Sequence, residues 1–177
     1  MQRMEYEFKL SFKIAASEGD HDQIMMKLAD ADCTDALVGL GVGGHVSLEF
    51  MREANSALEA MLQAIEDVRQ ALPSAQLIEA CPDLVGLTDV ADIVGVSRQN
   101  MRKLMITHAE RFPSPVHAGT TSIWHLADVL HFMQEREMAY PQAVYEVARA
   151  TLQLNVVKEK RMHSAWLDAQ LEKSLKV

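Results

Sequence analysis

Long apolar runs are missing from this chain. Nowhere do about 18 apolar residues follow one another, so no segment reads as a bilayer-spanning helix. Cysteine is nearly absent: Cys33 and Cys81 are too few for a zinc cage and form no C-x-x-C pair, and free thiols in a reducing compartment are expected. The opening Met1-Gln-Arg-Met-Glu-Tyr-Glu lacks the apolar stretch of an export signal, which makes the cytoplasm the expected location. No Ser-His-Asp or Cys-His set falls on recognisable elements, so no catalytic residues and no enzymatic activity are expected. His125, His131 and Cys81 lack ligand spacing, so neither metal nor cofactor is expected. Gly41-Val-Gly-Gly44 is not followed by Gly-Lys-Ser/Thr, which leaves a hairpin turn rather than a phosphate cradle.

What is present is a marked asymmetry of charge. The net charge is −8, and residues 1–81 account for all of it with 6 basic and 14 acidic side chains. Residues 82–140 stand at −2 and residues 141–177 at +2. An acidic chain can therefore still offer a local basic face to phosphates while the remainder weakens indiscriminate binding.

Alternation organises the first part. Tyr6, Phe8, Leu10, Phe12 and Ile14 share one face of a strand, with Glu5, Glu7, Lys9, Ser11 and Lys13 on the other. Asp20 or Asp22 can cap a short helix that turns Ile24, Met25 and Leu28 inward. Strands over 36–40 and 45–50 flank the glycine turn. A helix over about 55–72 presents Leu58, Met61, Leu62, Ile65 and Val68, and 76–80 reads as a last strand. The order β-α-β-β-α-β predicts an α+β fold with a ferredoxin-like first domain over residues 1–81, ended by Cys81-Pro-Asp83.

Residues 84–106 carry the most specific pattern. Thr88 can cap a short helix with Val90, Ala91 and Val94 inside; Gly95 suits a tight turn and Val96 plugs it. Ser97 caps a second helix whose inner face is Met101, Leu104 and Met105. A small residue at the crossing, a glycine four positions on and recurring apolar positions satisfy the demands of a helix-turn-helix together. Ser97, Arg98, Gln99, Asn100, Arg102 and Lys103 are left outward, and these side chains can donate to base edges and phosphates in a major groove.

Leu87-Thr-Asp-Val-Ala-Asp-Ile-Val-Gly-Val-Ser-Arg-Gln-Asn-Met-Arg102, with Phe112-Pro-Ser-Pro-Val and Thr121-Ser-Ile-Trp-His-Leu-Ala-Asp-Val, resembles the DNA-binding domain of the MerR and phage-excisionase class of regulators. The resemblance covers about residues 84–137 and implies a winged helix-turn-helix domain over 82–140 that binds double-stranded DNA. The class usually carries arginine in its wing. Here His117-Ala-Gly-Thr-Thr-Ser-Ile-Trp has none, so wing contacts would fall to Thr120, Thr121, Ser122 and main-chain amides. His108 and His117 are surface histidines that could also reach phosphate. Trp124 reads as a core plug under the wing.

Beyond Pro141 the chain is free of glycine and proline and reads as helical to its end. Its stripe of Val144, Val147, Leu152, Val156, Leu167 and Leu171 predicts a dimerisation segment over 141–177. The expected protein is thus a homodimeric transcriptional regulator, a repressor, reading a two-fold symmetric site. Residues 1–81 are then available for a small-molecule effector or a protein partner. The competing expectation is an antitoxin-like interaction module whose first domain binds a partner protein.

Overall fold

The computed structural model describes residues 3–160 and 164–176, and its architecture is α+β. Strand β1 (Met4–Lys13) leads through a 3-10 turn (Ala16–Glu18) to α1 (His21–Asp30), β2 (Ala36–Leu40), β3 (His45–Ala54), α2 (Ala57–Ala71) and β4 (Gln76–Cys81). The strands form one sheet in the order β2-β3-β1-β4 with every neighbouring pair antiparallel. The period-2 pattern acts as expected: Tyr6, Phe8, Leu10, Phe12 and Ile14 are buried beneath the helices. Asp20 is the residue that caps α1, accepting from the Gln23 amide while Gln23 Oε1 accepts from the Asp20 amide, each at 3.0 Å. Gly44 ends the β2–β3 connection at φ +77, and a Cβ there would stand 2.4 Å from the Ile14 carbonyl oxygen, so only glycine fits.

Two expectations for these elements need correcting. Met25 is only half-buried, with Ile24 and Leu28 anchoring α1. On α2, Leu58 and Leu62 are 43% and 51% exposed instead of facing the core. Alanines 57, 60, 64 and 71 bring the helix close to the sheet, and that approach centres the buried arc on Met61, Ile65 and Val68.

Glu18 is a buried carboxylate that ties three segments together. It accepts from the Ser74 amide at 2.8 Å, from the Ser74 hydroxyl, and from Lys27 Nζ at 3.0 Å. The Ser74 hydroxyl is the largest reason its pKa lies below the ordinary value, outweighing burial, which pushes the other way. A depressed folded pKa gives stability that is full above the unfolded value of about 4.3 and disappears as pH falls through the folded value. Glu18→Gln is therefore expected to lower the denaturation midpoint at pH 7, with the gap to the parent closing as acid protonates the folded carboxylate. A gap independent of pH would show that the carboxylate's charge is not what holds the three segments.

The second half contains β5 (Leu84–Val85), α3 (Leu87–Val94), α4 (Arg98–Thr107), β6 (His117–Ala118), β7 (Ser122–His125) and α5 (Leu126–Gln134). Strands β5, β7 and β6 make a small antiparallel sheet. Helix α6 (Gln142–Lys160) follows, then α7 (Ala165–Leu175). The helix expected to run unbroken through 161–163 lies outside the described residues there. Among the described residues no helix is long and apolar enough to cross a membrane.

Buried side chains fall into two clusters, and α6 serves both. Val147 and Ala150 join the core of the larger sheet, whereas Ala148 joins Val90, Ala91, Met101, Phe112 and Trp124. Tyr6 on β1 donates to Glu146 Oε2 at 2.6 Å, and burial raises its phenol to about 12. Val144 and Leu152 also pack within the chain, so this part of the stripe, expected to seek a second subunit, is covered by the chain's own cores. Val156, Val157, Trp166, Leu167, Leu171 and Leu175 remain exposed.

Candidate nucleic-acid interface

Local sequence sets the pair α3–α4. The expected cap Thr88 is not the one used: it is exposed within the first turn, and Gly86 holds the cap position. The Asp89 carboxylate accepts from the Gly86 amide at 2.7 Å, and the helix begins two residues earlier than a Thr88 cap would allow. Gly95 takes φ +74, ψ 32 with open space around it, so backbone conformation alone selects glycine there. The Val96 amide donates to the Ala91 carbonyl at 2.9 Å and closes the turn. Ser97 Oγ accepts from the Asn100 amide at 3.1 Å and starts α4 as expected.

The crossing leaves little room. Ala91 is 1% exposed and Met101 is likewise buried, with Leu104, Met105 and Val96 packed against them. Ala91→Leu is expected to destabilise the protein by about 1–3 kcal/mol, since the added volume has no void to enter. Calorimetry checks this, and an unchanged melting temperature would mean that α3 and α4 do not meet at this residue.

The outward face of α4 holds the candidate residues. Ser97, Arg98, Gln99, Asn100, Arg102 and Lys103 are all exposed. Among the described residues, no hydrogen bond or salt bridge engages the side chains of Arg98, Arg102 or Lys103. Arg98 and Arg102 stand one turn apart and so share a side of the helix. Ile106, 59% exposed and one turn beyond Arg102, adds an apolar end to the same face. Sequence reasoning overlooked it, because an isoleucine at the end of a helix reads as core.

The hairpin β6–β7 pairs His117 with Ile123 and Ala118 with Ser122. Thr120 and Thr121 are exposed at its tip, Ser122 is half-buried, and His117 is exposed. Trp124 is buried, with Nε1 donating to the Pro113 carbonyl at 3.0 Å and its ring edge-on to Phe112 at 6.0 Å. It acts as the core plug expected. His108 is not a bare surface histidine: Arg136 Nη2 lies 2.9 Å from its Nε2, so that nitrogen accepts from the guanidinium.

Sequence reasoning missed a polar junction that fixes this unit to the rest. Asp83, its side chain 1% exposed, accepts from His125 Nδ1 at 2.6 Å and from Asn155 Nδ2 at 2.7 Å. Asn155 also exchanges hydrogen bonds with the Ala80 main chain at 2.8 and 2.9 Å, while Thr151 Oγ1 donates to the Pro82 carbonyl at 2.6 Å. The segment 80–83 is thereby fastened to α6 and, through His125, to the last residue of β7. These partners lie 42 to 75 positions apart in the chain, too far for any local pattern to link them.

Among the described residues, no group of three or more His, Cys, Asp or Glu side chains could hold a metal ion. His131 contacts Tyr145 and Glu135, while Cys33 and Cys81 are separate free thiols. Burial pushes these thiols up to about 11 and about 12, so both stay protonated and poorly nucleophilic at neutral pH. Compared with protein-family models, curated proteins and solved structures, the chain matches none.

Proposed function

We propose that this protein is a sequence-specific double-stranded-DNA-binding regulator of transcription that acts as a homodimer. In this reading α3 and α4 are a helix-turn-helix, β6–β7 is its wing, and the four-stranded unit is a ferredoxin-like domain open to an effector or protein partner. The observation that carries the reading is the outward face of α4. An Arg98–Arg102–Lys103 row with Gln99 and Asn100, exposed and, among the described residues, unpaired, stands on a helix braced by the Gly95 turn.

Such a row has the chemistry of major-groove recognition. Arginine can bridge guanine O6 and N7, asparagine and glutamine can bridge adenine N6 and N7, and Ile106 can meet a thymine methyl. Thr120 and Thr121 at the hairpin tip would donate to phosphate, a contact that orients the domain without reading sequence. One recognition helix covers few base pairs, and a dimer with two helices about 34–36 Å apart multiplies the discrimination. Selection of binding sites from random duplex DNA tests this. A two-fold symmetric consensus whose binding weakens steeply with salt is expected; failure to enrich any sequence would overturn the reading.

A further inference from the structure

We propose that the free edge of β2 is the dimer contact. It pairs antiparallel with β2 of a second copy about a two-fold axis at Val38, so that two four-stranded sheets become one continuous sheet. This deepens the homodimer reading above and rests on it.

The hydrogen-bond parity of β2 establishes which groups are free. The Met51 amide donates to the Asp35 carbonyl and the Gly41 amide to the His45 carbonyl, in register with the β2–β3 ladder. Residues 35, 37, 39 and 41 therefore turn their main chain towards β3, and residues 36, 38 and 40 turn theirs outward. The Ala36 amide is taken by the Cys33 carbonyl at 3.3 Å. The amides of Val38 and Leu40 and the carbonyls of Ala36, Val38 and Leu40 face the open side, with no hydrogen bond among the described residues.

Soluble proteins commonly guard such an edge with charge, proline or a bulge. Ala36-Leu-Val-Gly-Leu40 has no charge and no proline, and its pairing with β3 runs without a register shift. The strand is also complementary to itself. About an axis at Val38, each Val38 amide meets the other copy's Val38 carbonyl, and each Leu40 amide meets the other copy's Ala36 carbonyl. In the same register Leu37, 72% exposed on the open face, lies directly opposite Gly39 of the second copy. Gly39 carries no side chain and lines a depression on that face with Ser11, Ser47 and Glu79, which leaves room for the leucine. A second copy fits these features better than an unrelated strand, because donors, acceptors, knob and hollow all recur under one two-fold rotation. The first half of the alternative contact is taken up, since α6 spends Val144, Val147 and Leu152 on its own chain; its exposed remainder, Val156, Leu167 and Leu171, is where a dimer indifferent to the edge variants would have to pair.

Light scattering without DNA, at micromolar concentration, reads the assembly. The parent is expected to be a dimer. Leu37→Lys places charge on the hollow, and Val38→Pro removes an outward amide while sparing every bond to β3; each is expected to raise the dimer dissociation constant at least tenfold, with circular dichroism confirming the parental fold. Val38→Cys supplies an independent arm that does not depend on weakening anything. The axis sets the two Cα atoms about 5.5 Å apart, within disulfide range, so mild oxidation is expected to give a covalent dimer that the parent does not form. A monomeric parent, or a dimer indifferent to both substitutions and not cross-linked through Cys at 38, would overturn the assignment. Binding-site selection is scored separately: an edge dimer that enriches no DNA sequence would sink the DNA reading alone, and DNA binding by a dimer that ignores the edge variants would sink only this contact.

Discussion

Arg98→Ala and Arg102→Ala are each expected to weaken binding to the selected duplex about 5- to 150-fold, with the melting temperature unchanged. The range follows from the roughly 1–3 kcal/mol that one bidentate base contact contributes to discrimination. Both side chains are exposed and, among the described residues, unpaired, so their removal costs the folded chain almost nothing. The two losses should differ in kind if one arginine reads a base and the other a phosphate. A base reader relaxes preference at one position of the site, whereas a phosphate contact weakens all sequences alike and flattens the salt dependence. Titration of each variant against the consensus and against single-base variants of it separates these cases. Parental affinity in both variants would remove α4 as the recognition helix.

Asp83→Ala is expected to have the largest effect on stability, about 3 kcal/mol, from loss of a buried partner that leaves His125 and Asn155 facing an empty position. The figure sits at the low end for a broken buried pair because His125 keeps a quarter of its side chain in contact with solvent. Asp83→Asn retains the shape and one acceptor and should cost clearly less. Chemical denaturation checks both. The position of the junction adds a second readout. His125 ends β7, and the Leu126 amide at the start of α5 donates to the Asp83 main-chain carbonyl at 2.7 Å. Loosening this point should reduce protection of the hairpin amides against hydrogen exchange more than that of β1 or β3. Equal stability in Asp83→Ala and the parent would show that the junction is not holding the two cores together.

The α4 arginines and Asp83 probe different kinds of information. The α3–α4 pair was legible because its constraints are local. Gly95 needs a positive φ, Ser97 caps its own helix, and Ala91 to Met105 recur at helical spacing within 15 residues of one another. The strand β1 was legible for the same reason, as alternation needs only its own neighbours. Errors arose where a choice depended on what lay across the space. The cap of α3 moved from Thr88 to Gly86 because Asp89 reached back to the Gly86 amide. Leu58 and Leu62 lost their place in the core to alanines because distance from the sheet, not hydrophobicity, selected the buried arc.

The amino-acid sequence by itself determined the α+β class, the edges of most strands and helices, the tight turn at Gly95 and the row of exposed donors on α4. Each follows from backbone preference or short-range periodicity. Only the tertiary structure decided that α6 closes two cores at once, that Asp83 gathers His125 and Asn155 from distant segments, and that β2 ends the sheet as an uncharged open edge. Those features depend on which elements become neighbours. That choice comes from the summed burial and hydrogen bonding of the whole chain, and no window along the sequence contains it.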